Sequence, residues 1–270
     1  MKNLKDLIKV AAFDVDGTIL PNGHSEFSEK TIEAFAKLKE NKIATVVSTA
    51  REFSTINNFL QQLQPSYFIG ANGCFVYECE TQKMIYEKSI SGEVVIQIYQ
   101  HFKNQINGFL VAVGNICYFT PNTPLDTWFI RPNIHNYKPF DEQAILNNKV
   151  HLITIASDDA KNLSKKITEY IEQNHLDIEI NSTWSKGLFI SPKGVNKSTT
   201  LKYLCEYLGY SLDNLIAFGD SSNDYEMIKD SFYGVAMDKA NDKIKRVAKD
   251  YALDCEYDGV YLKLKELKLI

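Results

Sequence analysis

The chain reads as an α/β protein in which a parallel-sheet core is interrupted by an inserted α+β unit. Three observations predict this. The apolar run Val10-Ala11-Ala12-Phe13 stops at Asp14-Val15-Asp16-Gly17, and a later one, Leu215-Ile216-Ala217-Phe218-Gly219, stops at Asp220. Between about residues 83 and 185, hairpins replace the alternation of single strands with helices. Short unbroken apolar runs closed by turn residues mark strands buried on both faces, as in parallel sheets, whereas paired runs across tight turns mark antiparallel ones.

Gly17 turns the chain after the first strand, so Asp14 and Asp16 lie at the carboxyl edge of the sheet, where open α/β sheets bind ligands. Two acids crowded there repel unless a cation or a shared proton relieves them, which points to a metal. A plain Asp-Gly turn or a calcium loop uses the same residue types. The calcium loop is excluded because no Glu follows at EF-hand spacing and the flank is a strand. Ser28 caps a helix with Ile32, Phe35, Ala36 and Leu38 turned inward. Ile43 to Val47 is the second strand, completing a right-handed βαβ unit, and it ends at Ser48-Thr49-Ala50-Arg51. Thr49 reads both as the N-cap of a helix carrying Phe53, Ile56, Phe59, Leu60 and Leu63 and as a hydroxyl placed to hold a phosphate oxygen. Arg51 brings a guanidinium to the same edge. Tyr67 to Gly70 is the third strand. Asn72-Gly73 reads as a turn with Asn at positive φ, and Asn72 is also a site candidate.

Lys83 to Glu87 reads as a strand of the insert, followed by a helix around Val94, Val95, Ile98 and Phe102. A hairpin then joins Phe109 to Val113 with Ile116 to Thr120 across Gly114-Asn115. The Pro-cut segment from Pro121 to Asn148 reads as loops, with Trp128, Arg131, His135 and Tyr137 as candidate substrate contacts. His151 to Ala156 is a strand, Ser157 caps a helix through Ile171, and Leu176 to Ile180 returns as a strand. With hinges near 79–85 and 184–188, the division is a core of residues 1–82 and 186–270 and an insert of 83–185. Leu188 to Ser191 then restarts a strand of the core. Lys197 falls in the first turn of the next helix, where a lysine opposes the helix dipole unless an anion lies nearby. Asp220, Asn223 and Asp224 follow the next buried strand. The core is thus a Rossmann-like, three-layer α/β/α sheet.

With 44% hydrophobic and 24% charged residues, the 270-residue chain has ordinary globular composition, which excludes disorder. Its formal net charge of -4 and the lack of any Lys/Arg block exclude a nucleic-acid partner held by a basic surface and favour small substrates. Cys74, Cys79, Cys117, Cys205 and Cys255 form no Cys-x-x-Cys pair and read as reduced core thiols. The N-terminal Lys2, Lys5 and Lys9 precede no signal-peptide core, and no run reaches membrane-spanning length. The expectation is a cytoplasmic protein, monomeric or a weak homodimer, without nucleic-acid or membrane partners.

Three strand ends thus carry Asp14 with Asp16, Thr49 with Arg51, and Asp220 with Asn223 and Asp224, while a helix start supplies Lys197. In that order, Asp-x-Asp-Gly-Thr, Ser/Thr after a strand, Lys, and Gly-Asp-x-x-Asn-Asp, the set resembles the haloacid dehalogenase-like hydrolase superfamily. The insertion between the second and third motifs is similar to that of its Cof-type branch, whose cap is an α+β module. The resemblance implies a magnesium-dependent phosphatase of a small phosphorylated substrate. By it, Asp14 is the nucleophile that becomes an aspartyl phosphate, Asp16 is the acid/base, and Lys197 neutralises charge. Thr49, Ala50, Arg51 and Asn223 face the phosphate. Asp14, the Asp16 main-chain carbonyl and Asp220 hold Mg2+, with Asp224 serving the metal or Lys197. Ala50 departs from the glycine common there. Lys193 is the alternative cation. A phosphomutase and a receiver-like module phosphorylated on Asp are the competing readings.

Overall fold

A computed structural model of the chain describes residues 4–270, so Lys2 lies outside the described residues. Among the described residues, fourteen strands form two sheets. In chain order they are β1 (Val10–Phe13), β2 (Ala44–Ser48), β3 (Tyr67–Gly70), β4 (Phe75–Glu78), β5 (Lys83–Glu87), β6 (Gly108–Val113), β7 (Ile116–Phe119), β8 (Tyr137–Pro139), β9 (Ile153–Ala156), β10 (Ile178–Trp184), β11 (Gly187–Pro192), β12 (Leu215–Gly219), β13 (Tyr233–Met237) and β14 (Asp250–Ala252). The chain divides into two compact units. Of the described residues, the first comprises 4–50, Asn57–Tyr86 and Asn196–Ile270, and the second Arg51–Ile56 and Glu87–Val195.

The first unit is built on the sheet β14-β13-β12-β1-β2-β3-β4-β5. β1 pairs in parallel with β12 on one side and β2 on the other, and all four of its residues are buried. A strand with ladders on both edges and helices on both faces has nowhere to put a polar side chain, which is why its sequence is unbroken Val-Ala-Ala-Phe. Phe13 stacks on Phe218 of β12 at 5.3 Å between ring centroids, locking the two strand ends side by side. The helix Glu29–Glu40 is capped by Ser28, whose hydroxyl accepts from the Thr31 amide. Its inward residues are Thr31, Ala34, Phe35 and Leu38, while Ile32 is 37% exposed and Ala36 also faces out. The stripe follows i, i+3, i+4, i+7 counted from Thr31, and Ile32, one residue on, is turned about 100° away from it.

The second unit carries the sheet β10-β11-β9-β6-β7-β8. The helices Gly92–Phe102 and Ala160–Gln173 pack Val95, Ile98, Leu163 and Ile167 against it, in one cluster with Phe109 and Ile153. Two strands change sheets relative to the sequence expectation. Lys83–Glu87 is the edge strand of the first sheet rather than part of the insert. Gly187–Pro192 pairs antiparallel with β10 and β9 in the second sheet rather than restarting the core. Ser185-Lys186 is too short a link to leave the sheet, so β10 and β11 must form a hairpin. Of the candidate substrate contacts, Trp128, Arg131 and His135 are exposed, Arg131 paired with Asp126, and Tyr137 is buried.

Arg51–Ile56 belongs to the second unit through polar contacts: the amides of Asn133 and Asn136 donate to the Thr55 and Ser54 carbonyls. Here His151 lies between Glu52 (3.2 Å) and Glu87 (3.0 Å). Burial works against the imidazolium, but hydrogen bonds and charge from both glutamates outweigh it and raise the His151 pKa. Burial raises Glu52 as well. The folded chain therefore holds these protons more tightly than the unfolded one. For His151 the stabilisation is complete below the ordinary imidazole value of about 6.5, for Glu52 below the ordinary carboxylate value of about 4.3, and each is lost as pH climbs through the raised value. The melting temperature is expected to fall as pH rises above about 6.5, and Glu52→Gln to flatten that fall. An equally steep decline in Glu52→Gln would remove this cluster as the cause.

Candidate active site

Asp14 is the first residue beyond β1, and its amide donates to the Phe218 carbonyl, which sets it beside the end of β12. Asp220 is the first residue beyond β12. Because the two strands run parallel in register, Phe13 opposite Phe218, their ends bring the two acids to the same edge. Oxygens of Asp14, Asp220 and Asp224 all lie within 4.8 Å of one another. Asp16 stands outside that trio, half-buried and bridged to Leu20.

Lys197 enters from the first turn of the helix Lys197–Tyr207, which Asn196 caps in a reciprocal box with Thr199. Its side chain is 0% exposed, and Nζ donates at 2.6 Å to Asp14 Oδ1 and at 2.6 Å to Asp224 Oδ1. Asp224 Oδ2 accepts the amides of Asp220 (3.1 Å) and Ser221 (3.0 Å), so both oxygens of Asp224 are engaged. Among the described residues, the Asp220 carboxylate accepts one hydrogen bond, a long one of 3.4 Å from the Thr18 hydroxyl. Gly17 at φ +89° leaves it room, since a Cβ there would lie 2.7 Å from Asp220 Oδ2. Lys193 is exposed on the second unit, with its amide bonded to Asp177.

Burial, aided by the Asp224 charge, pushes Asp14 up to about 7. Burial and the Asp14 charge push Asp220 up to about 8. Burial also opposes the Lys197 ammonium, yet the charges of Asp14 and Asp224 outweigh it and hold it protonated well above the usual lysine value. Three carboxylates thus share one fixed cation, and the one that Lys197 does not reach is Asp220. An all-oxygen set short of positive charge fits a hard divalent cation such as Mg2+ and offers nothing to a metal that prefers nitrogen or sulfur.

Thr49 is 2% exposed at the end of β2; its amide donates to the Ile69 carbonyl and its carbonyl accepts from the Asn72 amide. The expected helix does not begin there. Residues 52–55 form a turn closed by the Thr55 hydroxyl on the Glu52 backbone, and the helix runs only from Phe59 to Leu63. Side-chain hydroxyls compete with helix for backbone groups, and that of Thr55 takes both the N–H and the carbonyl of Glu52. Ala50 is half-buried. Arg51 is 3% exposed in the second unit, donating to the Thr55 carbonyl at 2.6 Å and lying 4.6 Å over the Phe129 ring. Asn223 is half-buried and donates to Asn72 Oδ1 at 2.9 Å. Sequence reasoning assigned no role to Thr18, although it closes the Asp14-to-Thr18 motif, and it left Asn72 open between a turn and a site residue.

The family model described as haloacid dehalogenase-like hydrolase matches residues 11–264. Among curated relatives, the 5-amino-6-(5-phospho-D-ribitylamino)uracil phosphatase YcsE of Bacillus subtilis is 28% identical over 94% of this chain and 93% of its own. The pyridoxal phosphate phosphatase YbhA of Escherichia coli is 25% identical over 88% and 90%. Among solved structures, a haloacid dehalogenase-like hydrolase from Bacteroides thetaiotaomicron superposes with a TM-score of 0.82 at 24% identity, covering 96% of this chain and 99% of that one.

Proposed function

The chain belongs to the haloacid dehalogenase-like hydrolase family, and from that premise we propose that it is a phosphatase of small phosphomonoesters that uses Asp14 as nucleophile. The observation that carries this reading is the Asp14 carboxylate, 5% exposed at a strand end and held by the Lys197 ammonium at 2.6 Å. An Asp oxygen attacks phosphorus covalently only where the charge it approaches is offset. Asp14 forms the new P–O bond while the ester P–O bond breaks, and Asp16 gives its proton to the departing oxygen. Asp16 then takes a proton from water, whose oxygen attacks phosphorus and returns Asp14 as free carboxylate with inorganic phosphate as product.

Thr49, the Ala50 main chain and Asn223 hold the phosphate oxygens. Arg51 is left out of that set because its guanidinium is engaged on Thr55 and Phe129. Asp14, Asp220 and the Asp16 carbonyl would hold a magnesium ion, which when bound supplies charge cover for the phosphate. Asp224 serves Lys197 and the 220–221 backbone, since both its oxygens are occupied there. The two relatives named above carry different substrates in their names, and what those share with this reading is the phosphorylated metabolite.

Release of free phosphate from p-nitrophenyl phosphate and a panel of phosphorylated metabolites, with and without magnesium, tests this. Turnover in magnesium that stops with EDTA and resumes on adding the ion is the expected result. No phosphate from any compound overturns the phosphatase reading, and transfer to a second sugar in place of release favours a mutase.

A further inference from the structure

We infer that Asn72 is a positioning residue of the phosphate site, a reading that rests on the phosphatase assignment above and deepens it. Its side chain is 0% exposed on the turn between β3 and β4. Ala71, Asn72 and Gly73 have φ of 50°, 55° and 108°, three successive residues in the left-handed region. Only glycine adopts that conformation freely, and a run of this kind persists where its surroundings over-determine it.

The surroundings here are the elements proposed to hold substrate. The Asn72 amide donates to the Thr49 carbonyl at 3.0 Å, and its Oδ1 accepts from Asn223 at 2.9 Å. The Gly73 carbonyl accepts the Thr200 hydroxyl at 2.6 Å, from the helix that begins at Lys197. A Cβ on Gly73 would lie 2.4 Å from the Asn196 carbonyl, so the turn is pressed against the start of that helix. Asn72 thus ties Thr49, at the end of β2, through its backbone N–H, to Asn223, beyond β12, through its side chain. No strand pairing joins those two residues directly.

A turn needing only a positive φ is met by any Asn with its side chain in water, or by Gly. Asn72 instead buries an amide whose Nδ2 has no hydrogen-bond partner among the described residues, an arrangement unfavourable for folding alone. Its accepting oxygen fixes which way the Asn223 amide turns, and with it the donor that Asn223 offers to a phosphate oxygen. Asn72 acts through Asn223 and touches no substrate itself.

The test is a double-mutant cycle with Asn72→Gly, which keeps the left-handed backbone and removes the side chain, and Asn223→Ala. N72G is expected to lower kcat/KM for p-nitrophenyl phosphate roughly tenfold, about the worth of one hydrogen bond, and to raise the inhibition constant of inorganic phosphate by a similar factor. Adding N72G to N223A is expected to change neither constant by more than about twofold, because the route through Asn223 is already gone. The inhibition constant does not depend on how much of the sample is folded, so a loss of stability cannot imitate the effect. An active parent in which N72G is silent, or in which its loss multiplies fully with that of N223A, overturns the assignment of Asn72 alone. A parent without phosphatase activity overturns the phosphatase reading and this assignment with it.

Discussion

Asp14→Asn is expected to abolish phosphatase turnover, lowering kcat by at least about 10³-fold, while the protein melts no lower than the parent. The two halves of this result have one cause. Asp14 is buried enough for its pKa to be pushed up to about 7, so keeping it as a carboxylate costs folding free energy. The neutral amide has the same shape and avoids that cost. It cannot attack phosphorus, and Lys197 still keeps Asp224 at 2.6 Å. A destabilised nucleophile is a common way for stability to be given up to activity. Phosphate release by the Asn variant at the parent rate would refute Asp14 as nucleophile. A large drop in melting temperature would refute the account of its burial.

The second large effect is at Lys197. Lys197→Met keeps most of the side-chain volume and removes the ammonium, leaving the carboxylates of Asp14 and Asp224 buried without it. Removing one partner of a buried ionic group costs about 3–5 kcal/mol, and the same order is expected here in metal-free protein at pH 8. The sign of its pH dependence follows from the acids. Without Lys197 the folded pKa of Asp14, already raised to about 7, rises further, the folded state binds more protons than the unfolded state, and stability recovers as pH falls toward 5. Denaturant titrations at the two pH values would measure this. A loss that was small at pH 8, or larger at pH 5, would mean that Lys197 is not the main counter-charge. Activity is expected to fall with stability, because in the proposed mechanism the same ammonium would offset the charge of nucleophile and phosphate.

Both effects concern residues that the sequence makes legible by short-range chemistry. An apolar run with no polar interruption has to be a strand covered on both faces, and Val10–Phe13 and Leu215–Gly219 are wholly buried in parallel neighbours. Acids that follow such runs must emerge at the carboxyl edge, so Asp14 and Asp220 could be assigned to one edge without coordinates. Lys197 in a helix's first turn was similarly conspicuous, because the dipole there disfavours it unless acids lie close.

The sequence by itself therefore determined the α/β class and the chemical character of the edge, since both follow from which residues can tolerate burial. Only the tertiary structure decided sheet membership for Lys83–Glu87 and Gly187–Pro192, because an apolar run specifies a strand and not its partner. It also decided that Thr49 starts no helix, that Arg51 joins the second unit, and that Asn72 and Asn223, 151 positions apart, share a hydrogen bond. Those outcomes depend on long-range pairing and on competition for backbone hydrogen bonds, and neither leaves a periodic signal along the chain.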